Sequence, residues 1–545
     1  MNKYIFVSGG VCSSLGKGGA ASSIGALLEG RGLNVRMVKC DPYINVDAGT
    51  MSPYEHGEVY VTDDGAETDL DLGNYARFTR GHLSKANSMT TGQVYKSVIE
   101  KEREGRYLGR CVQVIPHITD EIKSRILSIA KEDSDTDVVI VEVGGTVGDI
   151  ESIPFLEAAR QLIHESGRTN ALSVHLTLIP EVAGGELKTK PTQHSVKAMQ
   201  EMCIQPDILI CRSPVVLDEA ARRKIALFTN VDPDAVFTSR TVDTTIYEIP
   251  LMFFDQKLDQ VVLKKLGVEC RHANLDPWYS MMDRFKARKD KVRIGIVGKY
   301  LELHDAYKSV YEALFHAGLE CGVEVELVKI DSSNLEEAAD TNSVFRSSGN
   351  SSNNGVDGVL VPGGFGQRGR NGMARAAFWA RTNKVPFFGI CLGMQIMVIE
   401  WGRNVMGWAD ADSTEFNHDT KYPVVSLLEE QIGVDGYGGT MRLGASESVL
   451  EPETRIAAAY GKERIFERHR HRYEFSNKYR DELVGTGLKI TALTPDGNLV
   501  ECVEWPDHPW GLGVQFHPEY KSKPTAAAPL FRDFIAAAKK MRDGE

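Results

Sequence analysis

The chain has 545 residues, 42% of them hydrophobic and 25% charged, and a formal net charge of −12. This is room for two or more domains with separate cores in an ordinary globular composition, and the acidic balance excludes a coat for nucleic acid. No apolar run reaches membrane-spanning length, the N-terminus shows no secretory h-region, and nine cysteines without a C-x-x-C pair predict free thiols in a reducing cytoplasm rather than a zinc site.

In chain order, "KYIFVSGG" predicts a buried strand running into a glycine loop, and "AASSIGALLEGRG" a helix stopped by Gly30 and Gly32. Strand, then Gly9, Gly10, Gly16, Lys17, Gly18 and Gly19, then helix is the layout of a phosphate cradle. In it Lys17 reaches the outer phosphates. The match to G-x-x-x-x-G-K-[ST] is imperfect. Gly10 stands one residue too far from Gly16, and Gly18 replaces the hydroxyl that usually meets Mg²⁺. A flexible turn with a solvated lysine is the alternative. If the cradle holds, carboxylates must supply the metal ligands. Asp69 and Asp71 of "ETDLDLG" and Glu142, which closes the run "VVIVEV", are the candidates. For Asp71 the plain alternative is a helix cap or a solvated acid; Glu142, ending an apolar strand, needs a partner.

Further strands are expected at "NVRMVKCD", "DVVIVEVGG", "ALSVHLTLIP" and "DILICR", with helical stretches between them, which implies a parallel sheet covered on both faces. "ELKTKPTQHS" (186–195) follows a strand end with two lysines, two threonines and a glutamine, fit either for a triphosphate and base or for a surface loop. The pattern fades near residue 270. Residues 271–291 read as a linker with some helix, and a second α/β unit begins at "VRIGIVGKY" (292–300), giving an expected division of 1–270, 271–291 and 292–545. Within it, "TNSVFRSSGNSSNNG" (341–355) predicts a mobile surface insertion.

"GICLG" (389–393) has the form of a nucleophile elbow, with Cys391 on a sharp strand-to-helix turn whose helix N-terminus favours thiolate. A buried structural cysteine is the alternative. Two further stretches favour the elbow. The amides of "VPGGFG" (361–366) can form an oxyanion hole, and "VQFHPE" (514–519) offers His517 as base and Glu519 as its orienter.

These motifs, with "KCDPYINVDAGTMSPYEHGEV", "EVGGTVGDIES", "KTKPTQHSV", "GGTMRLG" and "ERHRHRYE", closely resemble those of the CTP synthase family over nearly the whole chain. The resemblance implies an α/β fold of two domains, a P-loop-type amidoligase and a class I glutamine amidotransferase. Its reaction is the last step of de novo CTP synthesis. ATP phosphorylates O4 of UTP, and ammonia released from glutamine displaces the phosphate. It implies ATP at Ser14, Leu15, Gly16, Lys17, Gly18, Gly19, Asp71, Arg240, Thr241 and Val242, with Mg²⁺ on Asp71 and Glu142. UTP or CTP would meet Ser13, Asp149, Ile150, Glu151, Lys188, Thr189, Lys190, Pro191, Thr192, Gln193 and Lys224. L-glutamine would meet Gly364, Leu392, Gly393, Met394, Gln395, Glu415 and Arg472, with Cys391, His517 and Glu519 catalytic. It also implies GTP as activator, CTP as feedback inhibitor, a homotetramer able to form filaments, and no nucleic-acid or membrane partner. Cys12, Gly19 and the stretch "TSRTVDTTIY" (238–247) depart from the family pattern. A glutamine-dependent amidotransferase with another acceptor, and an idle assembly protein, are the rival readings.

Overall fold

In the computed structural model of the chain, the residues described are 2–132, 134–347, 355–427 and 441–544. They form two compact units, Met1–Thr50 with Asp71–Met282, and Met51–Leu70 with Asp283–Glu545. The N-terminal half of the sequence therefore contributes a twenty-residue segment to the second unit.

The first unit is built on a seven-stranded sheet in the order Val236–Arg240, Ile208–Ser213, Ala171–Leu178, Lys3–Gly9, Val138–Val143, Val35–Asp41, Ser88–Thr90. Every pairing in it is parallel. The strands are buried on both faces, as continuous Val/Ile/Leu runs demand when helices cover a parallel sheet. Four of the strands follow the expected positions after the first. The two edge strands are short and carry Ser, Thr and Arg, so their hydrophobic signal is weak. All the carboxyl ends lie on one edge, where the loops after Gly9, Asp41, Val143, Leu178 and Arg240 gather. The predicted first helix forms over Lys17–Gly30, and Gly32 follows at φ 81°. The segment expected to be a linker is more ordered than that. Asp276–Ala287 is a helix, and Trp278, Met281 and Met282 are buried. The Trp278 ring packs at a tilt with its centroid 5.5 Å from that of Phe78, so the apolar face of this stretch is used in packing.

The second unit has a nine-stranded sheet in the order Val323–Asp331, Asp290–Gly298, Gly358–Val361, Phe387–Ile390, Gly511–Val514, Val500–Glu504, Lys489–Leu493, Arg442–Leu450, Arg464–His471. The first five strands are parallel and the last four antiparallel extensions. Aliphatic and aromatic clusters fill both faces. The expected insertion at 341–355 begins with a helix, Thr341–Ser347. Phe345 is buried there, stacked 4.2 Å from Trp379, and Trp379 Nε1 donates to Asn342 Oδ1 at 2.7 Å. One buried aromatic ring anchors a stretch whose composition alone reads as surface. Residues 348–354 lie outside the described residues, as do the first three of "GGTMRLG".

The segment Met51–Leu70 is held in the second unit by named bonds. Arg468 Nε donates to Asp63 at 2.7 Å and Arg470 Nε to Glu67 at 2.8 Å. The Tyr60 hydroxyl donates to the Tyr520 carbonyl at 3.0 Å, and the Tyr520 hydroxyl to the Val59 carbonyl at 3.0 Å. Among the described residues no helix is long and apolar enough to cross a membrane.

Candidate active sites

In the first unit the loop after Lys3–Gly9 carries three left-handed backbones, Val11 at φ 77°, Ser14 at 58° and Gly16 at 89°. For a β-branched residue such as Val11 this is a strained conformation, of the sort folds retain at ligand-binding turns. The turn aims the N-terminus of the helix Lys17–Gly30 into the gathered strand ends. Lys17 Nζ donates to the Gly145 carbonyl. Burial lowers the Lys17 pKa, the Lys39 charge adding to that effect and the Glu142 and Asp71 carboxylates working against it.

Gly18 explains the missing hydroxyl. A Cβ at this position would lie 2.9 Å from Asp71 Oδ1 and 3.5 Å from Glu142 Oε2. The space of the usual Ser/Thr side chain is taken by the two acids, which approach because residue 18 has none. Glu142 is 1% exposed, accepts from the Tyr75 hydroxyl at 2.5 Å, and has its pKa raised by burial despite the neighbouring Lys39. Lys39, in this unit, is a residue that sequence reading missed. Its buried ammonium binds Asp71 and lies 3.3 Å from Glu142 and 3.5 Å from Asp41. These three carboxylates hold its pKa well above the usual value although burial opposes them. The available signal was a lysine inside the apolar strand "VRMVKC", which needs an acidic partner. Asp71 and Glu142 thus share one cation, the Lys39 ammonium. Two hard oxygen donors next to a phosphate loop suit Mg²⁺, which completes its shell with phosphate and water oxygens.

The remaining nucleotide candidates follow strand ends on the same edge. Ser13, Asp149, Ile150, Glu151, Lys190, Lys224 and Thr241 are exposed, while Lys188, Pro191, Arg240 and Val242 are intermediate. Lys188 pairs with Glu186 at 2.6 Å and Arg240 with Glu248 at 3.2 Å. Leu15, Thr189, Thr192 and Gln193 are buried. Thr192 shares a hydrogen bond with Thr177 at 3.0 Å and Gln193 donates to Thr189 at 3.1 Å, so these two polar groups hold the helix Lys190–Glu201 in place. His175, buried, is bonded to Ser8 at 2.9 Å and Ser195 at 2.7 Å. Burial pushes its pKa down to about 3, so it braces the "KTKPTQHS" helix against the first strand as a neutral ring.

In the second unit the strand Phe387–Ile390 turns into the helix Leu392–Asn404 through Cys391, at φ 53° and ψ −101°. The flanking glycines are sterically required: a Cβ on Gly389 would lie 2.6 Å from the Gly393 carbonyl oxygen. Cys391 is 3% exposed, and its amide donates to the Val514 carbonyl at 2.7 Å. His517 Nδ1 bonds Glu519 Oε1 at 2.7 Å. Burial acts to lower the His517 pKa, but the Glu519 carboxylate and the Cys391 sulfur raise it to about 10. Gly363 lies against the pair, its virtual Cβ 2.7 Å from His517 Cε1 and 3.6 Å from Cys391 Cβ. The "VPGGFG" loop is thus packed against Cys391 and His517.

Glu415 accepts from the Gly366 amide at 2.7 Å. Burial raises its pKa against the pull of that amide, Lys299 and Arg472. Lys299 donates to the Phe365 carbonyl at 3.1 Å and to that of Gly366, bracing the same loop, and burial lowers its pKa to about 8. Leu392, Gly393, Met394 and Gln395 line the start of the buried helix; Gly364 and Arg472 are half-buried. Lys299, Gln515 and Tyr520, which stacks 5.2 Å from His517, went unread in the sequence.

A cysteine on an elbow, a carboxylate-paired histidine and a glycine-rich loop packed against them are the features of a class I glutamine amidotransferase, here joined to an α/β unit whose first strand opens into a second glycine-rich loop. Residues 302–537 match the profile of glutamine amidotransferase class-I, and residues 3–268 that of the CTP synthase N-terminus. The chain is 56% identical over 542 residues to the CTP synthase of Carboxydothermus hydrogenoformans, covering 99% of each chain. It is 56% identical over 543 residues to that of Geobacter sulfurreducens, again with 99% of each covered. The glutaminase domain of CTPS from Trypanosoma brucei, solved with bound acivicin, is 40% identical over 46% of this chain and 94% of its own, with a TM-score of 0.42. The chain belongs to the CTP synthase family, which converts UTP to CTP in a glutamine-dependent, ATP-driven reaction.

Proposed function

We propose that the two units divide this reaction between them. Along the chain the division is synthetase 1–270, connection 271–291 and amidotransferase 292–545, with Met51–Leu70 folding into the amidotransferase. In the first unit the phosphate loop, Ser14–Gly19, holds ATP, with Arg240, Thr241 and Val242 toward its base. O4 of UTP attacks the γ-phosphorus, the bond to the β-γ bridging oxygen breaks, and ADP leaves. Lys17 stabilises charge on the transferred group. Mg²⁺, when bound to Asp71 and Glu142, would neutralise charge on the phosphate oxygens. Ammonia then adds at C4, and phosphate leaves as the nitrogen loses a proton. In the second unit the Cys391 thiolate attacks the glutamine carboxamide, the Gly364 and Leu392 amides face the oxyanion, and His517 protonates the departing ammonia. Water then releases glutamate from the thioester. The observation that carries this reading is the convergence of Asp71 and Glu142 on Gly18 beside Lys17, which supplies the acids the phosphate loop lacks. Spectrophotometry of UTP-to-CTP conversion with glutamine or ammonium tests it; no conversion from either nitrogen source would defeat it.

The metal assignment gives a separate expectation. Asp71→Asn or Glu142→Gln should raise the Mg²⁺ concentration needed for half-maximal synthesis by on the order of 10- to 100-fold. Unchanged Mg²⁺ titrations in both variants would remove the acids from the site.

UTP and CTP share a triphosphate, held by Lys188, Lys190 and Lys224, and differ at ring position 4. Feedback inhibition by CTP therefore needs a contact of its own, and an acceptor suits an amino group. Glu151, exposed at the start of the short helix Ile150–Ser152, is our candidate, directly or through the ribose. Glu151→Ala should weaken CTP inhibition about tenfold, the loss of one charge-assisted hydrogen bond, and raise the UTP KM much less. A parallel rise in both constants would assign Glu151 to the shared part of the nucleotide. Activation by GTP, a homotetramer able to form filaments and a cytoplasmic location complete the reading, on the strength of the family resemblance.

A further inference from the structure

Gln515 stands at the end of the strand Gly511–Val514, directly across from the elbow. The pairing of Ile390 with Val514 and the bond from the Cys391 amide to the Val514 carbonyl fix that register. The Gln515 side chain is fully buried, and a buried amide persists only when its polar atoms are used. Its Oε1 accepts from Gln395 Nε2 at 3.3 Å, and Gln395 Nε2 also donates to the Tyr473 carbonyl at 2.9 Å. A donor fixed on its oxygen leaves Gln515 only one orientation, with Nε2 toward the nucleophile. That nitrogen donates to Cys391 Sγ at 3.7 Å.

The sulfur has a second polar contact, the Arg470 carbonyl, at 3.8 Å. The two contacts respond to ionisation in opposite ways. A thiol can donate to the carbonyl; a thiolate cannot, and is repelled by it. An N–H donor contributes little to a neutral thiol and strengthens when the acceptor becomes an anion. The Gln515 donor therefore favours the thiolate, and the Arg470 carbonyl opposes it by favouring the thiol.

We propose that Gln515 is a further catalytic residue of the glutaminase site: its amide N–H donates to the Cys391 sulfur, favouring the attacking thiolate and holding it at the elbow, while the fixed Gln395 amide keeps that donor in place. The proposal rests on Cys391 being the nucleophile, which would fail separately if Cys391→Ala retained glutamine hydrolysis.

The test follows carboxamidomethylation of Cys391 by iodoacetamide as a function of pH, on the full chain, with the modified peptide quantified by mass spectrometry so that the other cysteines do not interfere. Gln515→Met keeps length and volume without the donor. Gln515→Glu turns an acceptor toward the sulfur, and serves if the methionine variant does not fold; thermal unfolding identifies the folded variants. Alkylation at pH 7 should slow by about tenfold, the weight of one hydrogen bond to a charged group, with the half-maximal pH moved upward, more so for glutamate. Folded variants whose alkylation profiles coincide with the parent protein's, even with slower glutamine hydrolysis, would overturn the proposal and leave Gln515 a packing residue.

Discussion

Replacing Lys17 with alanine is expected to stop CTP formation from both glutamine and ammonium, while glutamine hydrolysis persists at some level. The ammonium of Lys17 is at the phosphate loop, beside the two acids that converge on Gly18. Partial burial lowers its pKa, and its charge matters most when phosphoryl oxygens become more negative. Phosphoryl transfer depends on positioning and charge stabilisation, and the loss of one such donor costs about 10²- to 10³-fold in rate. Because phosphorylation precedes the entry of nitrogen, no nitrogen source bypasses the defect. Steady-state rates with each source decide the matter. A variant that kept ammonia-dependent synthesis near the parent level would show that the loop is not where the phosphoryl group is transferred.

Cys391→Ala divides the reaction at the other step. Glutamine-dependent synthesis should fall by about 10⁴-fold or more, since removing the nucleophile of a cooperating triad leaves only what binding and the oxyanion site supply. His517 and Glu519 remain in place but have no sulfur to act on. Added ammonium should restore CTP formation, because the phosphate loop and its acids belong to a different compact unit. Loss of both activities in a folded variant would count against two separate sites.

Much of this was readable from local sequence because the relevant signals are local. The glycine-rich loop after the first strand, the cysteine elbow and the His-x-Glu pair each lie within a dozen residues, where glycine placement and strand-to-helix changes mark the candidate chemistry. The strands with continuous Val, Ile and Leu were visible for the same reason, whereas Ser88–Thr90 and Val236–Arg240 were hidden by their polar composition. The Ser/Asn-rich insertion concealed the helix Thr341–Ser347, whose stability comes from Phe345 on Trp379 rather than from its own composition.

The sequence by itself determined the α/β class and the family, and it singled out Cys391 and Lys17 as the candidate nucleophile and phosphate lysine, since these readings depend on residue types at fixed short spacings. Tertiary structure alone decided which distant groups complete them. Lys39 meets Glu142 across 103 residues of chain, Gln515 reaches Cys391 across 124, and Arg468 ties down Asp63 across 405. A buried charge or amide must find a partner, but sequence shows only the need; parallel strand pairing and packing choose which partner meets it, because they bring together residues that no local pattern connects.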